Sequence, residues 1–132
     1  MKKIVVYWTG TGNTEEIANK IAKDLDCEAL NVNSVTVDHV LENDLIIFGC
    51  PAMGAEELED AEFKPFYDEV MESIGSKKVA LFGSYGWGDG EWMRNWEAEV
   101  GSNLITKGLI VNGGEADIID AEYEEFINAL KD

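Results

Sequence analysis

The sequence predicts an α/β fold, a doubly wound sandwich with a five-stranded parallel sheet and helices on both faces. Two observations carry this. Apolar runs of strand length alternate along the chain with segments of helical spacing, the pattern of a parallel sheet covered on both sides. A glycine- and threonine-rich hexapeptide, Thr9-Gly10-Thr11-Gly12-Asn13-Thr14, joins the first apolar run to the first helical segment. Strand-to-helix turns of this kind hold phosphate in α/β proteins, because backbone N–H groups and the helix N-terminus converge there.

The elements follow in order. Ile4-Val5-Val6-Tyr7-Trp8 reads as a buried strand, and Glu15 to Ala22 as an amphipathic helix. Glu28 to Asn33 reads as a short strand with alternating burial, and Val35 to Glu42 as a weak helix. Asp44-Leu45-Ile46-Ile47-Phe48-Gly49 is a strongly apolar strand. Phe63 to Ile74 places Phe63, Phe66, Val70 and Ile74 on one helical face. Lys77 to Ser84 carries the buried strand Val79-Ala80-Leu81-Phe82-Gly83, and a helix runs from about Glu91 to Val100. Leu109-Ile110-Val111 is the last strand, and Asp117 to Leu130 a final helix with Ile118, Tyr123, Phe126, Ile127 and Leu130 apolar. The short loops leave no room for a linker, so residues 1–132 are expected to form a single domain.

Twenty-seven acidic residues against ten basic ones give a formal net charge of −17. Nucleic acid is excluded as a partner, because its binding depends on Lys and Arg neutralising phosphates. An anionic membrane surface is disfavoured for the same reason. Such acidity serves solubility, or steers the chain towards a partner with a basic face. No apolar run approaches the roughly 20 residues of a membrane span. Ile4–Trp8 is too short for the core of a signal peptide, so the expected location is cytoplasmic. Cys27 and Cys50 are too far apart for a Cys-x-x-Cys motif and too few for a disulfide scaffold; both are expected to be reduced and structural. His39 is the only histidine, which leaves no histidine-based metal cluster.

In open parallel sheets the ligand sits beyond the carboxyl ends of the strands. Three loops lie there, Thr9–Thr14, Cys50–Glu62 and Tyr85–Gly90. The first lacks the lysine of a nucleoside-triphosphate loop. It also lacks the third glycine of a dinucleotide fingerprint, where Glu15 stands instead. What remains is a loop that holds a single terminal phosphate through neutral donors, Thr9, Thr11, Asn13 and Thr14. An unliganded glycine turn with a Thr or Asn cap is the alternative. In the second loop Met53 stands beside Gly54; in the third Trp87 stands among glycines. A large aromatic with glycine neighbours has little local packing and suits stacking on a flat ligand, with a polarizable methionine opposite. Taken singly, Met53 could be core filler and Trp87 a surface aromatic. Together the loops describe a pocket for a planar ring with a phosphate tail.

These segments, with Gly49-Cys50-Pro51-Ala52-Met53-Gly54 and Leu81-Phe82-Gly83-Ser84-Tyr85-Gly86-Trp87-Gly88-Asp89-Gly90, resemble flavodoxin, and most closely the short-chain bacterial flavodoxins. The likeness covers essentially the whole chain. It implies a flavodoxin-like fold, non-covalent FMN, and low-potential one-electron transfer between semiquinone and hydroquinone. It further implies partners that are redox enzymes; the net charge of −17 gives them basic docking faces, and a monomer is expected. By resemblance Thr9 to Thr14 is the phosphate loop, and Met53 and Trp87 are the inner and outer stacking residues. Ala52 to Glu56 form the ring loop. In it the Gly54 carbonyl turns towards the flavin N5 and Glu56 accepts from N3–H. The backbone N–H groups of Ser84, Tyr85, Gly86, Trp87 and Gly88 approach the pyrimidine edge. Ala55 is a departure, since relatives often carry glycine or a small polar residue there. If residue 55 needs positive φ, alanine opposes the turn. The acids Glu56, Glu57, Glu59, Asp60, Glu62, Asp89 and Glu91 are expected to oppose a new negative charge on the ring, by about 0.3 kcal/mol each at ~12 Å in water.

Two rival functions meet specific objections, and a third is separated by an absorption spectrum. An FMN-dependent quinone or nitro reductase needs an open ring face, which Trp87 would block. A phospho-receiver needs acids at the end of the first strand and an aspartate at the end of the third, where Trp8-Thr9 and Gly49-Cys50 stand. A ligand-free interaction module would show no flavin absorption.

Overall fold

The computed structural model describes residues 1–131. Its elements are β1 (Lys3–Tyr7), α1 (Asn13–Leu25), β2 (Glu28–Asn31), α2 (Val37–Val40), β3 (Leu45–Gly49), α3 (Phe63–Glu72), β4 (Lys78–Tyr85), α4 (Glu91–Val100), β5 (Leu109–Asn112) and α5 (Asp120–Leu130). All strand pairs are parallel, in the order β2-β1-β3-β4-β5. The strands read as continuous apolar runs because both sheet faces are covered. Val5, Ile47, Ala80 and Val111 pack under α1 and α5, while Ile4, Phe48 and Leu81 pack under α3 and α4. Between the latter two helices, Phe63 stacks on Tyr67 at 5.8 Å and meets Trp96 edge-on at 5.6 Å.

Several expected boundaries move: α1 is longer than Glu15–Ala22, α3 stops at Glu72 instead of Ile74, and strand ends shift by a residue. Three of the moves have a visible local cause. β2 stops at Asn31 rather than Asn33, because the Asn31 side chain accepts the Asn33 N–H (3.0 Å) and turns the chain. The weak helix of Val35–Glu42 is one turn, Val37–Val40. Thr36 Oγ1 caps it by accepting from the His39 N–H (3.1 Å), and the buried Asn43 amide ends it by donating to the carbonyls of His39 and Val40. The last helix starts at Asp120 instead of Asp117. Asp117 closes a separate turn, its carboxylate accepting the Gly114 N–H at 2.9 Å.

The chain leaves β1 towards β2 on one side and reaches β3 on the other, so the topological switch point lies between β1 and β3. The loops that follow these two strands therefore face each other across a cleft. The loop after β4 closes the cleft's third side. Among the described residues no helix is long and apolar enough to cross a membrane.

Candidate functional site

The loop after β1 is built to leave donors free. Gly12 precedes α1 with φ +98°, a conformation that only glycine adopts without strain. Its N–H donates to Thr9 Oγ1 at 2.9 Å, which closes the loop and leaves the Thr9 hydroxyl proton available. No side chain caps the α1 N-terminus, so its first amides stay open to an anion. Gly10 and Thr11 are exposed, Asn13 is half-buried, and Thr14 is buried.

Ser84 ties the three loops together. Its hydroxyl pairs with Thr14 Oγ1 at 3.0 Å in a buried contact, and its carbonyl accepts the Ala52 N–H at 3.0 Å. The sequence pointed to its backbone N–H alone. Trp92 adds a second tie, its Nε1–H donating to the Cys50 carbonyl at 3.3 Å. Tyr85 leans on Trp92 with ring centroids 5.5 Å apart. Arg94, the chain's single arginine, holds the base of the Trp87 loop by donating to the Asp89 carbonyl (3.0 Å) and carboxylate (3.1 Å). Sequence reading missed Trp92 and Arg94. Their signal was an aromatic and a lone guanidinium one turn into the helix that follows the glycine loop.

The second loop carries a tight hairpin. Met53 and Glu57 exchange backbone hydrogen bonds of 2.8 and 2.9 Å around Gly54, Ala55 and Glu56. Gly54 (φ +48°) and Glu56 (φ +57°) take the left-handed conformation. Ala55 does not, so the expected steric penalty at that residue is absent from this backbone. The strain falls on Glu56, where a non-glycine residue is held in a region it rarely visits.

Glu56 is also where the loops meet. Its Oε1 is buried without a hydrogen-bond partner. The carboxylate lies on Gly88, where an added Cβ would stand 2.5 Å from Oε1. The carboxylate oxygens of Glu56, Asp89 and Glu91 lie within 4.8 Å of one another. Met53 is 37% exposed and Trp87 66% exposed. A shelf with two exposed large apolar side chains, bare glycine backbone and one unsatisfied acceptor fits a flat ring that carries an N–H. The α1 amides fit its phosphate. Two recesses of about 390 and 380 Å³ flank this shelf, one between α4, β5 and α5, the other behind Glu56–Leu58 against Trp92 and Trp96.

The acids around the site differ from one another, contrary to their expected shared role. Glu59 is buried and belongs to the scaffold. Its Oε1 accepts the N–H groups of Glu62 (2.8 Å) and Phe63 (2.7 Å), its Oε2 that of Ala61 (3.0 Å), which satisfies the start of α3. Burial alone would raise its pKa, but the amides of Phe63, Glu62 and Ala61 outweigh burial and hold the carboxyl below its ordinary value. Glu62 accepts the Trp8 indole N–H at 2.8 Å. Among the described residues, Glu56, Asp89 and Glu91 form a compact group of negative charge. Cys50, beneath the second loop, has its thiol pushed up to about 12 by burial, so it stays protonated and unreactive. Both cysteines are free.

Comparison with known proteins identifies the family. The flavodoxin family model matches residues 5–130. The flavodoxin of Clostridium beijerinckii is 47% identical over 130 residues, covering 92% of this chain and 94% of that one. The flavodoxin of Megasphaera elsdenii is 45% identical over 114 residues, covering 80% and 83%. A solution structure of the two-electron reduced M. elsdenii flavodoxin matches with a TM-score of 0.84 at 38% identity, over 97% of this chain and 98% of that one. The chain belongs to the flavodoxin family, and is an electron carrier with FMN as its cofactor rather than an enzyme.

Proposed function

We propose that this chain is a low-potential carrier whose FMN lies across the three loops. The carrying observation is the buried, unpartnered Glu56 Oε1, placed against bare Gly88 backbone. FMN supplies the one-electron chemistry. The protein's residues bind, orient and tune it. Thr9, Gly10, Thr11, Gly12, Asn13 and Thr14 receive the phosphate through hydroxyls and backbone amides, without a cation. Met53 and Trp87 cover the ring faces. Ser84 to Gly88 offer backbone to one ring edge, Ala52 and Ala55 complete the second loop, and the Gly54 carbonyl is the acceptor for N5–H. Glu56 accepts from N3–H, and with Asp89 and Glu91 disfavours added negative charge. That lowers the second reduction potential by electrostatics.

The remaining parts of the proposal follow from charge and compactness. The chain acts as one cytoplasmic domain and as a monomer. Its partners are redox enzymes that dock a basic face on the acid-rimmed site. Titration of the FMN-free protein should show one FMN per chain, with quenched flavin emission and far weaker binding of riboflavin. Thr11→Val should weaken FMN by about 1–3 kcal/mol. Equal affinity for FMN and riboflavin would refute the phosphate assignment. Electron transfer to a basic partner should slow steeply as salt approaches 0.1 M, where screening acts over ~10 Å. A salt-independent rate constant would refute the docking assignment.

A further inference from the structure

We propose that Trp8 and Glu62 are positioning residues that set specificity for FMN. Their side chains brace the phosphate loop against the ring-binding hairpin, and so fix the span that a ligand with both a ring and a phosphate must match. Neither residue belongs to the set assigned to contact the cofactor. The inference rests on the reading that Thr9–Thr14 takes the phosphate and that Met53 and Trp87 take the ring.

Trp8 sits at the switch point. Its backbone N–H donates to the Gly49 carbonyl at 3.0 Å, which extends the β1–β3 pairing by one residue. Its indole lies beneath the phosphate loop, where a Cβ added at Gly10 would come within 3.2 Å of the ring. The indole Nε1–H donates to Glu62 Oε1 at 2.8 Å. Glu62 is anchored in turn, since its backbone N–H donates to the buried carboxylate of Glu59 at 2.8 Å. The Glu59 N–H donates to Cys50 Sγ at 3.4 Å. A continuous chain of bonds thus runs from the floor of the phosphate loop to the root of the Met53–Glu57 hairpin. The Thr14–Ser84 and Ala52–Ser84 bonds tie these two loops only through the third. Trp8–Glu62 is a side-chain link between their two sides that does not pass through the third loop.

The consequence is one of preorganisation. A ligand that engages two subsites gains from a fixed distance between them, because it need not pay to immobilise one loop relative to the other. A ligand that engages one subsite gains nothing. Loosening the brace should therefore weaken FMN and leave riboflavin alone. A general loss of structure would weaken both.

The test measures dissociation constants of the FMN-free protein for FMN and for riboflavin. The variants are Trp8→Phe, Glu62→Leu, Glu62→Gln and the double variant Trp8→Phe/Glu62→Leu. The native protein checks the underlying reading by itself: if it does not prefer FMN, that reading falls and the inference falls with it. Where it does prefer FMN, Trp8→Phe and Glu62→Leu should each lower the FMN-to-riboflavin affinity ratio severalfold, the scale of the ordering cost that the brace removes. The loss should appear in FMN binding alone. Glu62→Gln keeps an acceptor oxygen and should retain most of the ratio. The double variant should lose no more than either single one, since both remove the same bond. Glu62 is exposed, so its variants decide the matter even if Trp8→Phe folds poorly. An unchanged ratio, equal losses for both ligands, or additive losses in the double variant would overturn the inference.

Discussion

Replacing Glu56 by glutamine should stabilise the FMN-free protein and weaken the FMN complex. The substitution keeps the side chain's size and leaves the residue at φ +57°, where glutamine carries the same steric penalty as glutamate. It therefore isolates the charge. The carboxylates of Glu56, Asp89 and Glu91 lie within 4.8 Å of one another, and two unit charges at that distance in water repel by about 0.9 kcal/mol. Arg94 already offsets Asp89, and salt screens the rest, so removing the Glu56 charge should gain about 0.5 kcal/mol. In the complex the balance reverses. A ring N–H loses a charged acceptor and keeps a neutral one, which should cost about 1 kcal/mol, or roughly fivefold in affinity. Urea unfolding of the FMN-free protein at pH 7 reads the first effect, and FMN titration reads the second. A lower unfolding midpoint with an unchanged slope would show that the carboxylate is satisfied in the free protein. An unchanged FMN affinity would show that Glu56 does not face the ring.

Three further outcomes follow from the same geometry. Trp87→Ala should weaken FMN by roughly 1–3 kcal/mol, the scale of a large apolar contact, with little change in FMN-free stability because the indole is 66% exposed; a large fall in FMN-free stability would show that Trp87 packs instead. Glu59→Gln should destabilise the protein by about 1–3 kcal/mol at pH 7. The Glu59 pKa is held below its ordinary value of 4.5, so its contribution is complete above that value and fades as pH falls below it. The native and variant stabilities should converge in acid, and a difference that persists there would contradict the capping role. Ala55→Gly should leave the first reduction potential nearly unchanged, because Ala55 avoids positive φ. A rise of about 40 mV, the equivalent of ~1 kcal/mol for one electron, would place the strain at residue 55 after all.

The fold was legible because each strand is an uninterrupted apolar run and each long helix has an apolar stripe, signals that depend on burial alone. The ends of β2 and α2 and the start of α5 were decided by single side chains, Asn31, Thr36, Asn43 and Asp117, through local hydrogen bonds that spacing does not reveal. The three loops could be read because they concentrate glycine, threonine and isolated aromatics at strand ends. What escaped was the bracing between them. Glu59 looked like one more surface acid in an acidic run, and nothing in its spacing shows that its carboxylate turns inward onto three amides. Trp8 read as the end of a strand, yet its indole reaches a residue 54 positions away. Contacts of that range depend on the strand order, which places the ends of β1 and β3 side by side.

The central claim is that this shelf of loops makes FMN a one-electron carrier, by offering an acceptor at Gly54 and gathering negative charge at Glu56, Asp89 and Glu91. A spectroelectrochemical titration of the FMN-loaded protein tests it most directly. The account predicts two separated one-electron waves, the second at the lower potential. It also predicts that Glu56→Gln raises the second wave, because a negative charge beside the ring is removed. A single two-electron wave, or a second wave that Glu56→Gln leaves in place, would contradict it.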